Sequence, residues 1–515
     1  MSRWPKREIG VAVGVILAEI AWAANVVWDG DSDTVFSNAA NWVGGVAPVD
    51  HISNDIAVFP SSFTPFQPTL TADRSIRGLS FQKTDGGWIL GGTGYLLRVG
   101  ASAISDLATA GTNAIEADIT VGYDGVMPGS FNLSSGGTLM LSGRAIIWGG
   151  TNRNFTVNKG TAIVNIVDAK MPTINFTKSG DGTLILRGPA GTNFQGGFTL
   201  GGDGTLIVQH PKAMGVGPFT FNKSTIRVET DMAGSNARTT AVDICIEGNC
   251  TFEGVASIEF SGIGRVNAAS NIDKRTITNN LSGGQSLIFS GPLFSLAERR
   301  AAGEVRTITF SGTGNTRISA SIVDFISNGG VGALTLAGSG TITLSGSNTY
   351  TGGTFINNGT LLFNGTHLAT AGAYSVSNTA TLSGTGTTVA SVVVNSGGII
   401  APGHNGIGTL RVGPTTFSAG SKLAWERGRS SSDLLEVTGN LTIATNFTIV
   451  ITEQGRGPTT ADLIKYTGTF TGNPNAWTIQ APPGYEGVTV TNTGSAIRLL
   501  GLPEPSLIGT VISFR

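Results

Sequence analysis

The chain has 515 residues, 75 of them glycine, about twice the average usage. Charged residues make up only 13 % and hydrophobic residues 40 %, which excludes a charge-solvated disordered chain and leaves ample material for a packed core. Lys and Arg total 32 against 33 Asp and Glu, a net charge of −1, so no basic field exists to displace counterions and nucleic acid is not an expected partner.

Residues 1–24 read as a secretory signal. Arg3, Lys6 and Arg7 form the positive start and Ile9 to Ala18 the apolar stretch. Ala21-Trp22-Ala23, before Ala24, supplies the small-residue cleavage site. Glu19 is an irregular charge at the end of the stretch. About ten apolar residues fall short of the ~20 that a spanning helix needs, so delivery to the export machinery is expected.

Residues 25–130 are expected to form an N-terminal cap region. Within them Asp29-Gly30-Asp31-Ser32-Asp33 starts like a calcium loop. An EF-hand needs Gly at its sixth position and Glu at its twelfth, where this chain has Thr34 and Ala40. A loop without metal is the expectation, and no cofactor is assigned.

Residues 131–415 carry short apolar alternation of period 2, broken by Gly-Gly, Asn-Gly and Ser-Gly. Three segments share one layout. The first runs Gly137-Thr138-Leu139-Met140-Leu141-Ser142-Gly143 and resumes at Gly160-Thr161-Ala162-Ile163-Val164. The second runs Gly182-Thr183-Leu184-Ile185-Leu186 and resumes at Gly204-Thr205-Leu206-Ile207-Val208. The third runs Gly340-Thr341-Ile342-Thr343-Leu344, then Tyr350-Thr351-Gly352-Gly353-Thr354, and resumes at Gly359-Thr360-Leu361-Leu362-Phe363. The paired starts lie 23, 22 and 19 residues apart. That is the length of one β-helix rung, whose edges stay unpaired until neighbours stack on them. The expected fold is all-β, a right-handed parallel β-helix or β-solenoid with capping β regions. At ~4.8 Å per rung, at most about twenty rungs would stack.

Cys245 and Cys250 flank a Gly-Asn turn. In an oxidising compartment this favours a small disulfide loop, with two thiols as the alternative. The spacing matches neither a redox C-x-x-C pair nor a zinc ligand set.

The run GTITLSGSNTYTGGTFINNGTLLFNG, residues 340–365, resembles the autotransporter-associated beta-strand repeat at every patterned position except Ile342. The other two copies match more loosely. Trp28-Asp29-Gly30 with Asn41-Trp42, and Ala401-Pro402-Gly403 with Gly408-Thr409-Leu410, resemble the flanking segments of proteins that carry this repeat. So do Tyr466 to Gly472 and Pro482-Pro483-Gly484-Tyr485. The resemblance implies a passenger-like surface protein, here without the alternating ten-residue strands of a translocator barrel.

Residues 416–500 are more charged and are expected to form a C-terminal β cap over the open apolar end. Residues 501–515 contain Pro503-Glu504-Pro505, a short apolar run and a terminal Arg515. They resemble a PEP-CTERM sorting tail, with a plain β-strand as the alternative.

Little in the chain reads as catalytic, and no catalytic residue is assigned. His51, His210, His367 and His404 are scattered and expected in loops or turns. β-Helices also host polysaccharide lyases and hydrolases, whose glycosidase chemistry needs two carboxyls ~5–9.5 Å apart. Glu253 with Glu259, and Asp181 with Asp203, are the candidate pairs, although the latter two read as turn residues. The expected function is a non-enzymatic exported solenoid, adhesive or structural in an extracellular matrix. Its partners would be glycans, matrix or other surface proteins, met through ladders of Thr, Asn and Ser. The alternative is a β-helical polysaccharide lyase or hydrolase, or a carbohydrate-binding module.

Overall fold

A computed structural model gives the fold. It describes residues 24–504 except 101, 103, 122–129, 134–135, 148–152, 170–174, 191–195, 216, 235–243, 268–273, 299–300, 325–328, 369–371 and 456. Ala21 and Ala23 of the cleavage site, and the tail from Pro505 to Arg515, lie outside the described residues.

The repeat unit explains itself locally. In Thr183–Leu186, Leu184 and Leu186 are buried while Thr183 and Ile185 are half-buried on the other side. β-Branched residues fit such a pleated surface. Each strand then meets its equivalent one coil later, and these parallel pairings build walls. The first wall has thirteen parallel strands, from Asn25–Val27 to Ser321–Val323. It hands over to an eight-stranded sheet that begins at Ser347–Asn348, with the Thr349 amide donating to Ile322 O at 2.8 Å. The second wall runs from Arg74–Ile76 and Ile89–Leu90 through Thr112–Ile115 and Thr183–Leu186 to Phe470–Gly472. The third has ten parallel strands, from Ile258–Phe260 to Thr478–Gln480. The chain is a parallel β-solenoid.

The core is a set of files along the axis. Leu184, Leu206, Ile226 and Phe252 stand in register, all buried. Phe176, Phe198 and Phe219 stack on the first wall with ring centroids 5.1 and 5.5 Å apart. Burying each such side chain is worth about 1.5–3 kcal/mol, gained only once neighbouring rungs are in place. Turns stack as tightly. Gly359 has φ +65, and a Cβ there would lie 2.5 Å from the carbonyls of Gly338 and Gly340. Both demands select glycine.

An antiparallel step stops the stack at each end. At the start Trp28, Phe36 and Trp42 cluster edge to face, 5.1 and 5.0 Å apart, and the Val43 amide donates to Val27 O. At the finish Ala496–Leu500 pairs antiparallel with Thr460–Tyr466 and with Thr489–Asn492. The last strand of the third wall, Thr478–Gln480, is three residues long and lies between Pro474 and Pro482. A short, proline-flanked edge resists further strand addition.

Several expectations need correction. Parallel rungs cross the expected boundaries at 130/131 and 415/416, since Thr112–Ile115 pairs with Thr138–Ile147 and Thr415–Phe417 pairs with both its neighbours. Those flanks keep inward apolar residues at period 2 even where the glycine signature fades. The expected Cys245–Cys250 disulfide is not formed. Cys245, between inward Ile244 and Ile246, faces outward from its wall, whereas Cys250 opens the next strand facing inward. Burial pushes the Cys250 thiol up to about 12.

His367 is not a turn residue either. It lies fully buried in the strand Thr366–His367. Its Nδ1 meets the Tyr374 hydroxyl at 2.8 Å, its Nε2 meets Tyr350 O at 2.7 Å, and its ring stacks on Tyr350. Burial pulls its pKa down. Asn348 is buried beside it, accepting from the Ile322 amide and donating to Gly346 O and Thr366 O. The Asn and Tyr of the repeat pattern therefore act as internal braces. In the Asp29–Asp33 loop, Asp33 accepts from Asn41 Nδ2, the Val35 amide and Asn38 Nδ2, which hold its carboxyl below the usual range.

Candidate binding groove

Residues that point away from the core form files on the outer surface. On the second wall Thr112, Thr138, Thr161, Thr183, Thr205, Thr225, Thr251 and Thr278 stand in one register, continued by Ser311. The last two hydroxyls lie 2.9 Å apart. This surface is repetitive.

The third wall differs. A groove of about 660 Å³ runs over its outer face. Its floor is the file Glu259, Ile288, Arg317, Thr343 and Leu362, each paired in register with the next. Five rungs make this file about 19 Å long. Asn315 and Thr341 flank it on one side; Ser290, Ser319 and Ser345 flank it on the other. Each of these serines follows a strand directly, because the chain must leave the wall there, so the serines also stack one per rung.

Glu259 is held in place: one carboxylate oxygen accepts from the Gly234 amide and the other from Ser290 Oγ. Arg317 is exposed, with no ion-pair partner among the described residues.

The far end of the groove is walled by the segment 402–408, carrying His404. Gly403 exchanges two backbone hydrogen bonds with Gly384, at 2.8 and 2.9 Å, and Gly403 O also accepts from Ser383 Oγ. The return of the segment is pinned by Asp433, which accepts from the Gly408 amide at 2.8 Å and the Glu426 amide at 2.9 Å. Burial pushes the Asp433 carboxyl up to about 7, against the two amides that stabilise its charge. A second hollow of about 240 Å³ lies behind this segment, bordered by Glu426 and Asp433.

Comparison with known families finds a likeness in two segments of the rod. Residues 176–208 and 334–363 match the Passenger-associated-transport-repeat. Those two segments are similar to that repeat. It is also 42 % identical over 89 residues to the Adhesin BmaC autotransporter of Brucella suis biovar 1 (strain 1330). That stretch is 16 % of this chain and spans only 3 % of the relative. The two matched segments are placed differently. The Gly-Thr strand Thr183–Leu186 of the first lies on the second wall, whereas Thr341–Leu344 of the second lies on the third. Only the second repeat lines the groove, through Thr341, Thr343, Ser345 and Leu362.

The sequence candidates divide clearly on this frame. Glu253 and Glu259 do not meet, because they stand on the second and third walls. Asp181 and Asp203 fall in successive exposed turns, and Asp203 pairs with Lys223 at 2.7 Å. Ala24 is exposed at the first rung, its amide 3.4 Å from Asp55 Oδ1. Pro503 is docked on the C-terminal cap and Glu504 is exposed beyond it. Arg317 and Asp433 drew no notice in the sequence. The available signal for Arg317 was its place in a strand where the next copies carry Thr343 and Leu362.

Proposed function

We propose that this chain is an exported, cell-surface solenoid that adheres to other surfaces through the third-wall groove. The observation that carries the reading is the groove itself, a five-rung trough that holds stacked hydroxyls, the apolar side chains of Ile288 and Leu362, and a guanidinium unpaired among the described residues. The passenger-associated repeats and the short stretch shared with an adhesin support it, and residues 1–24 support export. The tail from Pro503 would act as a sorting or attachment signal. Glycans, extracellular matrix and other surface proteins are the partner classes. The test is adhesion of beads carrying the full chain to surfaces coated with glycans or matrix. Thr343→Trp fills the groove from an outward position and should abolish adhesion. Undiminished adhesion by that variant would end the reading.

One observation favours an enzyme as the second reading. Glu426 and Asp433 border one hollow, and Asp433 titrates close to neutrality. A carboxylic acid beside a carboxylate is glycosidase chemistry. Both Asp433 oxygens, however, already accept backbone amides, which suits a brace better. Release of reducing sugar from polysaccharides, lost in Glu426→Gln, would establish the enzyme.

A further inference from the structure

We propose that the groove takes an extended oligosaccharide bearing one carboxylate-carrying sugar at its end, with the acid on Arg317 and the neutral sugars running toward His404. This rests on the adhesive reading and narrows it to a ligand class. Arg317 lies at the middle of the floor with its fork of donors uncommitted, and a guanidinium fork matches a carboxylate in two parallel hydrogen bonds.

The two directions along the floor are unlike. Two rungs to one side, about 10 Å away, stands Glu259, fixed by Gly234 and Ser290. A second carboxylate on that side would face it. On the other side the floor continues as Thr343 and Leu362, with Thr341, Ser319 and Ser345 alongside. Hydroxyls beside the Leu362 side chain suit the hydroxyls and a C–H face of neutral sugars, and the rung spacing of about 4.8 Å is close to one pyranose of an extended chain. Among the described residues, the groove thus sets the uncommitted guanidinium of Arg317 against the fixed carboxylate of Glu259. It disfavours a polyanion, and a wholly neutral glycan leaves the arginine without a partner.

The test is calorimetric titration of the purified full chain with 3′-sialyllactose, lactose and a heparin hexasaccharide at about 0.15 M salt. Sialyllactose should bind about tenfold or more tightly than either of the others. Arg317→Gln should bring it down to the level of lactose, while Arg317→Lys, which keeps the charge and loses the fork, should retain part of the preference. Glu259→Gln should raise affinity for the heparin fragment. Sialyllactose binding no tighter than lactose, or a preference that survives Arg317→Gln, overturns the inference. If Thr343→Trp still abolishes adhesion in that case, the adhesive reading stands and only the ligand class falls. If Thr343→Trp adheres like its parent, the reading itself falls.

Discussion

Arg427 donates from Nη2 to the carbonyl of Pro503 at 2.8 Å, across 76 residues of chain. The same nitrogen reaches the carbonyls of Gly457 and Pro458, and Nη1 reaches the Tyr485 hydroxyl. Arg427 is fully buried at the end of the strand Lys422–Arg427, so one inward guanidinium gathers three segments of the C-terminal cap and fixes where the tail leaves the rod.

Removing that guanidinium should open the cap. Arg427→Ala removes the donor to three cap carbonyls, of which that of buried Gly457 stands to lose most, about 1–3 kcal/mol. Because a solenoid unfolds from its ends, the loss should stay local. Hydrogen exchange should show Thr489–Asn492 and Ala496–Leu500 losing protection while Thr183–Leu186 keeps its own. Uniform loss along the whole rod would contradict this local role.

Acid should loosen the rungs around His367. Burial holds its folded pKa below the ordinary 6.5, so the unfolded state binds a proton that the folded state refuses. Stability here is full above about pH 6.5 and falls as the pH drops toward the lowered folded value. Urea unfolding monitored at Tyr350 and Tyr374 should show it. His367→Gln should flatten the acid limb, and an equally steep limb in that variant would assign the effect elsewhere.

The brace at Asp433 should respond in the opposite sense. Its folded pKa is raised from 3.8 to about 7, so between those values the folded state holds the extra proton. Stability therefore falls as the pH rises from about 4 to about 7 and levels off above. Exchange of the Gly408 and Glu426 amides, corrected for intrinsic rate, should quicken across that window. Asp433→Asn should abolish the dependence and, by offering a donor where an acceptor is needed, leave the 402–408 wall looser at every pH.

Thiol labelling should separate the two cysteines. In the native chain Cys245 should react first, since Cys250 is buried with its thiol pushed up to about 12 and little thiolate present. Denaturation without reductant should expose two thiols per chain. Finding none would restore the disulfide.

The stacked phenylalanines give a packing prediction. Phe198 sits between Phe176 and Phe219, fully buried, so Phe198→Ala should cost about 3–5 kcal/mol. Thermal unfolding should move down, whereas Thr199→Ala, on the outward side of the same strand, should leave it nearly unchanged.

By itself the sequence determined the strand period, the rung length and the inward files, because these follow from alternation along a few neighbouring residues. Leu184 and Leu206 are recognisably equivalent without any coordinates. It also set the glycines of the turns, since positive φ at Gly359 is a local demand. Only the tertiary structure decided which wall each strand joins. Thr183 and Thr341 occupy the same place in the repeat yet face different sides of the rod, because corners between strands differ in length and turn. Glu253 and Glu259 are separated for the same reason, and Arg317 and His404 are united in a groove although far apart in the chain. Periodicity is written in short-range sequence, whereas the side of the solenoid on which a residue emerges accumulates over every preceding corner.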